Sequence, residues 1–424
     1  MLIISDAVRA RDLSLYGNIK ETDKYLKKIA SESVTFNLNF SASNASDPSV
    51  TSLFSGKYPL TSGFIHQHPF EKKEEIDKLR KNKFWLPIYL RDKGYITISG
   101  TPLHMWFKKG FLDYQNRDDK IGKKKILNTS LIKRILLNLP SGVYSFGKKI
   151  IKTRASASFH SSREVIDSSI FKIKRLDKPF FLFMHLTDTH YPYPIAPKRK
   201  NFGKKTLDKI LEEIESIKQR EYIKKRFTDI SAYSIEEIEE RRDFSFSFVD
   251  KQIWRLYEFL RKRGTLKNTI FIVLSDHGDN FGDHQTYFCR GGLYDSSIHV
   301  PLVMHLPKIG HKKINELTQN IDIAPTILEI LGEKNIKLDG KSVLNMIRTG
   351  GKIRDRLILS DGFCEDRSAI RTKAIKTISS KGGKCYLCGA IHGKGKEEYN
   401  LKKDPQELKN IWDENSNLKG LIKV

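Results

Sequence analysis

Over the first three quarters of this chain, apolar runs of strand length alternate with longer amphipathic stretches, and that alternation limits the fold more than any other feature. Met1–Ser5, Val34–Phe40, Tyr95–Ser99, Phe180–Leu186, Ile270–Leu274 and Pro301–Leu306 read as strands. Between two of them Val249, Ile253, Leu256 and Leu260 recur at spacings of four, three and four, one face of a helix that ends near Gly264 and delivers the chain into the strand at Ile270. Strands alternating with helices predict an α/β fold with a mainly parallel central sheet flanked by helices.

With 424 residues the chain is long enough for a large catalytic domain and a smaller companion. The texture changes near Gly350, where short β-like runs such as Ser368–Thr377 and Lys384–Leu387 are punctuated by Lys-Gly-Gly and Gly-Lys-Gly. We expect a catalytic α/β domain over residues 1–350 and a small C-terminal α+β subdomain over 351–424. Two basic, strand-poor segments, Arg117–Ser162 and Lys198–Arg241, interrupt the first domain and read as insertions. The basic amphipathic stretch Leu131–Leu137 in the first of them suits an ordinary packed helix, a cap over the active site or contact with a membrane surface.

The 76 Lys and Arg against 50 acidic residues give a net charge of +26, which draws anions toward the molecule. No zinc-finger or RNA-binding signature accompanies the charge, so nucleic acid is not the expected partner. An anionic small molecule is expected, with an acidic membrane or glycan as a peripheral contact. Four cysteines, Cys289, Cys364, Cys385 and Cys388, are too few for a disulfide framework at this length. Cys385 and Cys388 have the spacing of a metal or redox pair but lack a second pair, and read as buried thiols. With no run of about 18 apolar residues and no signal-like leader, a cytoplasmic location is expected, although Asp6 stands so near the first residue that a missing leader would overturn it.

In open parallel sheets, ligands bind outside the carboxyl ends of the strands. Three strand ends here carry chemistry: Asp6 after the first strand, Ser46 shortly after Val34–Phe40, and Asp276-His277 after Ile270–Leu274. Pro48 suits the first turn of a helix and Asp47 its N-cap, which would set Ser46 at a helix N-terminus, where backbone N–H groups and the dipole favour an anion. A serine hydroxyl needs a base or a metal to become nucleophilic. Asp6, Asp276 and His277 supply two carboxylates and an imidazole, and the hydroxyl of Ser46 would complete a four-ligand site for a divalent cation.

Several longer motifs now make the chain recognisable. Asp6-Ala-Val-Arg9 with Asp12-Leu-Ser-Leu-Tyr16-Gly17 resembles the opening motif of sulfatases, and Ser46-Asp-Pro48-Ser49 with Ser55-Gly-Lys-Tyr-Pro59 resembles their nucleophile segment. Asp188-Thr-His190-Tyr-Pro192, Ser275-Asp276-His277-Gly278-Asp279 with Gly282-Asp283-His284, and Leu293-Tyr294-Asp295 leading to His299-Val-Pro-Leu302 follow in the family's order. So do Asp322-Ile-Ala-Pro-Thr326 with Asp339-Gly-Lys-Ser342, and Tyr399 to Glu407. The resemblance to the sulfatase branch of the alkaline-phosphatase-like superfamily runs from Asp6 to about Asn410. It implies hydrolysis of sulfate or phosphate esters, with calcium as the family's metal and manganese or zinc also compatible with a set containing an imidazole. It further implies that Arg9, Arg290 and His190 bind substrate, that Arg290 grips ester oxygens, and that His190 or His284 protonates the leaving group.

The chain departs from the family pattern at two places. The family's opening motif carries two adjacent aspartates, but Ala7 follows Asp6 here. The machinery that oxidises the nucleophile to formylglycine reads a Pro two residues on and an Arg four residues on; Pro48 is present, but Val50 replaces the Arg. An unmodified Ser46 is therefore expected, as in related phosphotransferases and phosphodiesterases. Transfer of a phospho-headgroup is the alternative reaction within the superfamily, and a non-catalytic anion-binding protein is the alternative of another class.

Overall fold

A computed structural model describes residues 1–413 apart from 104, 117–160, 197–219, 221–234, 334, 365 and 388–390. The two basic insertions, the Leu131–Leu137 stretch and Cys388 lie outside the described residues.

Eight strands form the central sheet: β1 (Leu2–Ser5), β2 (Val34–Phe40), β3 (Ile96–Leu103), β4 (Asp113–Asn116), β5 (Phe180–Leu186), β6 (Phe271–Leu274), β9 (Leu302–His305) and β10 (Lys312–Gln319), in the order β10-β2-β9-β6-β1-β5-β3-β4. All run parallel except β9, which is antiparallel to both β2 and β6. The carboxyl ends of β1, β2, β5 and β6 therefore open on one edge of the sheet, the edge at which α/β folds bind ligands. Alternate apolar residues of the central strands β1 and β5 cover the two faces of the sheet. Leu2, Ile4 and Phe183 join one buried cluster, and Ile3, Leu182 and Met184 join the other. The second face is closed by the helix Ile235–Lys262, whose Val249, Ile253, Leu256 and Leu260 are all buried in that cluster. Two residues after its end, Gly264 turns the chain at φ +72°, a conformation that favours glycine.

A hairpin of β7 (Asn280–Phe281) and β8 (Tyr287–Cys289) rises beyond β6. Past residue 350, β11 (Leu357–Ser360), β12 (Arg367–Arg371), β13 (Ile375–Lys384) and β14 (Ile391–Asn400) form a separate antiparallel sheet in chain order. Leu357, Leu359, Ala369, Ile378 and Tyr399 of this sheet pack on Phe40, Leu293, Ile298 and Leu317 of the large domain in one shared cluster. A buried ion network reinforces that contact. The ammonium of Lys376, wholly buried, lies 2.5 Å from Asp295 and 2.5 Å from Glu407. No helix among the described residues is long and apolar enough to cross a membrane.

Candidate active site

The helix α2 (Ser46–Ser55) follows β2 and carries the candidate nucleophile at its first residue. The N-cap is Ala45, not Asp47; Pro48 falls in the first turn, where its missing N–H costs no intrahelical bond. Asp47 instead turns inward and accepts hydrogen bonds from the His68 N–H at 2.9 Å and from Gln67 Nε2 at 2.8 Å. Burial pushes its carboxyl up to about 6, against the pull of the His68 contacts. The Asp47 N–H donates to Gln67 Oε1 at 3.0 Å, so this donor of the expected anion cradle is already taken. From Ser41 to Gly56 every residue is buried except Ser46. The fold thus buries the helix around Ser46, which alone stays half-buried.

Ser46 Oγ lies 3.0 Å from His277 Nε2. The other ring nitrogen of His277 faces the Gly278 carbonyl at 3.2 Å, which fixes the proton on Nδ1 and leaves the Nε2 lone pair toward Ser46. His277 is held below the usual imidazole range by burial, and the Arg290 cation adds to this against the pull of Asp276. His190, in the loop after β5, has the same arrangement: its Nδ1 donates to the Tyr191 carbonyl at 2.6 Å. Arg290 Nη1 donates to His190 Nε2 and to His277 Nε2, both at 2.9 Å, and its guanidinium lies over the Phe363 ring. The structure thus brings Ser46, His277, His190 and Arg290 into one chain of contacts.

Beneath the hydroxyl lies a carboxylate pair. Asp6 Oδ1 is 3.4 Å and Asp276 Oδ2 is 3.6 Å from His277 Nε2. The sequence reading missed a second imidazole here. His185, on β5 opposite Ile4, places its Nε2 3.4 Å from an oxygen of each aspartate. Burial opposes its charge, but Asp6 and Asp276 outweigh it and push His185 up to about 10. Among the described residues Asp6 Oδ1, Asp276 Oδ2 and His185 Nε2 are buried without a hydrogen-bond partner, and Asp6, His185 and Asp276 can each turn one ligand atom to a common point. Orphaned, converging donors of this type fit a divalent cation. Ala7, at φ 61°, adds no side-chain donor; its N–H reaches Asp276 Oδ1 at 3.3 Å.

Two residues expected in the site have other surroundings. The Arg9 guanidinium makes two 2.7 Å contacts with Asp12 and one of 2.7 Å with Asp283, which leaves it a buried brace between the first loop and the hairpin. His284 stacks on Tyr294 with ring centroids 3.5 Å apart, and burial holds its imidazole below its usual range against the pull of Asp283. The sequence reading also passed over Asn44. Its Nδ2 donates to the carbonyls of Arg290 and Gly292 at 3.0 Å each, and its Oδ1 accepts the Gly362 N–H at 2.8 Å. This single amide ties the segment leading to Ser46, the segment carrying Arg290 and the C-terminal sheet together.

The comparisons with known proteins agree with this architecture. The C-terminal model of N-sulphoglucosamine sulphohydrolase matches residues 282–423. An arylsulfatase of Clostridium perfringens is 29% identical over an alignment of 275 residues that covers 60% of this chain and 54% of that protein. The chain thus spans about half the length of that relative. Among solved structures, BT4656 in complex with its substrate D-glucosamine-2-N,6-O-disulfate superposes with a TM-score of 0.64 at 19% identity, covering 97% of this chain and 93% of that one. A phosphonate monoester hydrolase of Agrobacterium radiobacter does so with 0.64 at 17% identity, covering 97% and 90%. Similarity at that identity speaks to the fold alone, but the family model described as Sulfatase matches residues 1–333, most of the chain and every strand of the central sheet, and the protein belongs to the sulfatase family of the alkaline-phosphatase-like superfamily.

Proposed function

We propose that this protein hydrolyses sulfate monoesters, with Ser46 at the position of attack. The observation that carries the reading is the half-buried Ser46 at the start of α2, the one residue of its segment that is not sealed, 3.0 Å from His277 Nε2 and beside a guanidinium that touches two imidazoles. The reaction needs a nucleophile, a cation for the ester oxygens and a proton for the leaving alcohol. Ser46, Arg290 and His190 supply these in turn. Ser46 passes its proton to His277 Nε2 as its Oγ forms a bond to sulfur and the bond from sulfur to the alcohol oxygen breaks, and the alcohol departs with a proton that His190 Nε2 takes up from solvent once Arg290 has turned to the ester. Water then opens the covalent ester, releasing sulfate and restoring the serine. Asp6, Asp276, His277 and Ser46 would hold a divalent cation, which when bound lowers the pKa of the hydroxyl and offsets charge on the ester. The His277 Nε2 lone pair faces both the hydroxyl and the carboxylates, so it can serve a proton or a cation.

One observation favours phosphate esters as a second reading. Val50, where the formylglycine-forming machinery reads an Arg, is 2% exposed and packed in the core. An unmodified serine leaves a covalent ester that water must open, chemistry shared with phosphate-ester enzymes. Mass spectrometry across Phe40–Lys57 on protein from its native host, with turnover of an aryl sulfate and an aryl phosphodiester by the native chain and by Ser46→Ala, tests both. We expect loss of at least about 10³-fold in the variant. An aldehyde at residue 46 would return the chain to formylglycine chemistry, and an active Ser46→Ala protein would remove Ser46 as the nucleophile.

A further inference from the structure

We infer that Cys364 and Cys385 are a modification site, at which oxidation joins the two sulfurs in a cross-strand disulfide that staples the aromatic wall beside Arg290. Spacing in the sequence pairs Cys385 with Cys388, but the fold sets Cys385 opposite Cys364.

The two cysteines form an isolated antiparallel bridge where the segment after β11 meets the end of β13. The Tyr386 N–H donates to the Phe363 carbonyl at 2.7 Å, one residue outside the pair on each strand. That bond makes Cys364 and Cys385 a non-hydrogen-bonded pair, in which the Cα atoms stand about 4.5 Å apart and the two side chains leave on one face. A disulfide spans Cα separations of about 4.4–6.8 Å, so the bond is within reach of the backbone as it stands. Both cysteines are buried, at 5% and 4% exposure, which turns each sulfur toward the other and away from thiols in solution.

The surroundings hold the pair and suit the chemistry. The N–H groups of Cys364 and Phe363 both donate to Asp361 Oδ1, at 3.2 and 2.9 Å, and the same oxygen accepts Asn44 Nδ2 at 3.1 Å. The other oxygen of Asp361 lies 3.7 Å from the Arg367 guanidinium. Burial opposes the charge of Arg367, but Asp361, Cys364 and Cys385 hold it above its usual range, which sets one cation beside both sulfurs. The thiolate is the attacking form in thiol–disulfide exchange, and a neighbouring guanidinium offsets its charge as it forms. The oxidant is a small-molecule disulfide of the glutathione type. One protein sulfur gives up its proton and attacks that disulfide, releasing one glutathione thiol, and the second protein sulfur then displaces the other. The protein sulfurs lose two electrons to the glutathione disulfide, and their two protons leave on the released thiols. Access runs past Lys384, which is exposed, and Tyr386, which is half-buried.

What the bond holds borders the site. The Phe363 ring centre lies 5.4 Å from the Arg290 guanidinium carbon, and Tyr386 stacks on Phe70 with ring centroids 4.9 Å apart. The Phe70 N–H donates to the carbonyl of Gln67, whose side chain holds Asp47 next to Ser46. The disulfide thus ties the ring that backs Arg290 to the ring that packs on the loop bracing α2.

The test equilibrates the full chain in a series of oxidised and reduced glutathione mixtures, blocks remaining thiols with an alkylating agent and maps the peptides by mass spectrometry. We expect a peptide pair joining Cys364 to Cys385 in most chains at the oxidising end of the series, and its disappearance on adding dithiothreitol. The urea midpoint of the oxidised chain should lie roughly 0.5 M above that of the reduced chain, because closing the 20 residues between the cysteines constrains the unfolded state. Cys364→Ser and Cys385→Ser should each lose both the linked pair and the shift, whereas Cys388→Ser should keep both. Mapping of the native chain decides the matter if a serine variant fails to fold, and none of these readouts requires ester turnover. A Cys385–Cys388 pair in place of the expected one, or thiols that stay reduced throughout the series even after refolding from urea in the same mixtures, overturns the inference. So does a midpoint shift that survives in Cys364→Ser.

Discussion

Gly362 offers a direct test of whether the C-terminal sheet is part of the site. A Cβ added there would stand 2.3 Å from the Cβ of Ala45, 3.3 Å from Ser43 Oγ and 3.4 Å from Pro48 Cγ. Ordinary carbon contact is about 3.5–4.0 Å, so the first overlap exceeds roughly 1 Å, and neither Cβ can rotate away because both are fixed by backbone. Overpacking of this kind costs about 1–3 kcal/mol. The strain falls on the N-cap of α2, one residue before Ser46, and displacing a reacting atom by about 1 Å can cost roughly 100-fold in rate. Gly362→Ala should therefore lose about 1–3 kcal/mol in urea unfolding and about 10- to 100-fold in kcat on an aryl sulfate. Ala45→Gly removes the other half of the clash at a helix position that tolerates glycine, so the double variant should recover most of both losses. Strict additivity across the four chains, or a Gly362→Ala protein as stable and as active as the native one, would refute the argument that this contact positions the nucleophile.

Two further substitutions probe the scaffold. Lys376→Met leaves the carboxylates of Asp295 and Glu407 buried without their cation and should cost about 3–5 kcal/mol in urea unfolding; a loss below about 1 kcal/mol would show that the network adds little. Asp250 accepts the N–H groups of Tyr25 and Leu26 at 2.7 Å each at the start of the helix Lys24–Ala30, and burial pushes its carboxyl up to about 7 against those bonds. Its folded value lies above the unfolded one, so its contribution is complete below about pH 4 and is lost as pH rises through about 7, on the order of 4 kcal/mol at most. Asp250→Asn should abolish that slope, so a stability difference between the two chains that stays constant from pH 4.5 to 8 would contradict it.

What could be read from the sequence follows from where each signal resides. The limits of β2 and β5 fall where the sequence places them: β5 is apolar apart from His185, and β2 alternates Val34, Phe36, Leu38 and Phe40 with polar residues, a period that marks a strand. β10 escaped because it is an edge strand whose early Lys312, Lys313 and Asn315 face solvent, leaving no continuous apolar run. The antiparallel direction of β9 was equally hidden, since the short apolar run Leu302-Val303-Met304 carries no signal of the sense in which it pairs. Asp47 looked like an N-cap by residue type; its carboxylate instead found Gln67 and His68, which are twenty residues away in sequence. His185 was concealed by its strand, and only the register with β1 shows that its ring meets Asp6 and Asp276. Several motif residues prove to be scaffold: Asp322 accepts the Lys341 N–H at 2.8 Å, and Thr326 Oγ1 accepts that of Val343 at 3.0 Å, so two distant motifs exist to hold each other.

Arg290 gives the proposed reaction an order. Its Nη1 donates to the Nε2 atoms of both His190 and His277, and both rings keep their proton on Nδ1 through a backbone carbonyl. While that arrangement holds, neither Nε2 can carry a proton, because an N–H facing the guanidinium would set two donors against each other. A leaving group could not then be protonated from His190. An anionic ester entering beside Ser46 presents oxygens that pair with the guanidinium in two parallel hydrogen bonds, a stronger contact than a neutral imidazole offers. Transfer of Arg290 from the histidines to the ester would free both lone pairs at once, so that His190 Nε2 could take a proton from solvent for the leaving group and His277 Nε2 could accept the proton of Ser46 or face a cation. In the proposed reaction the residue that pairs with the substrate's charge would also keep the acid disarmed until that charge arrives, so a neutral ester of the same shape should bind without being cleaved.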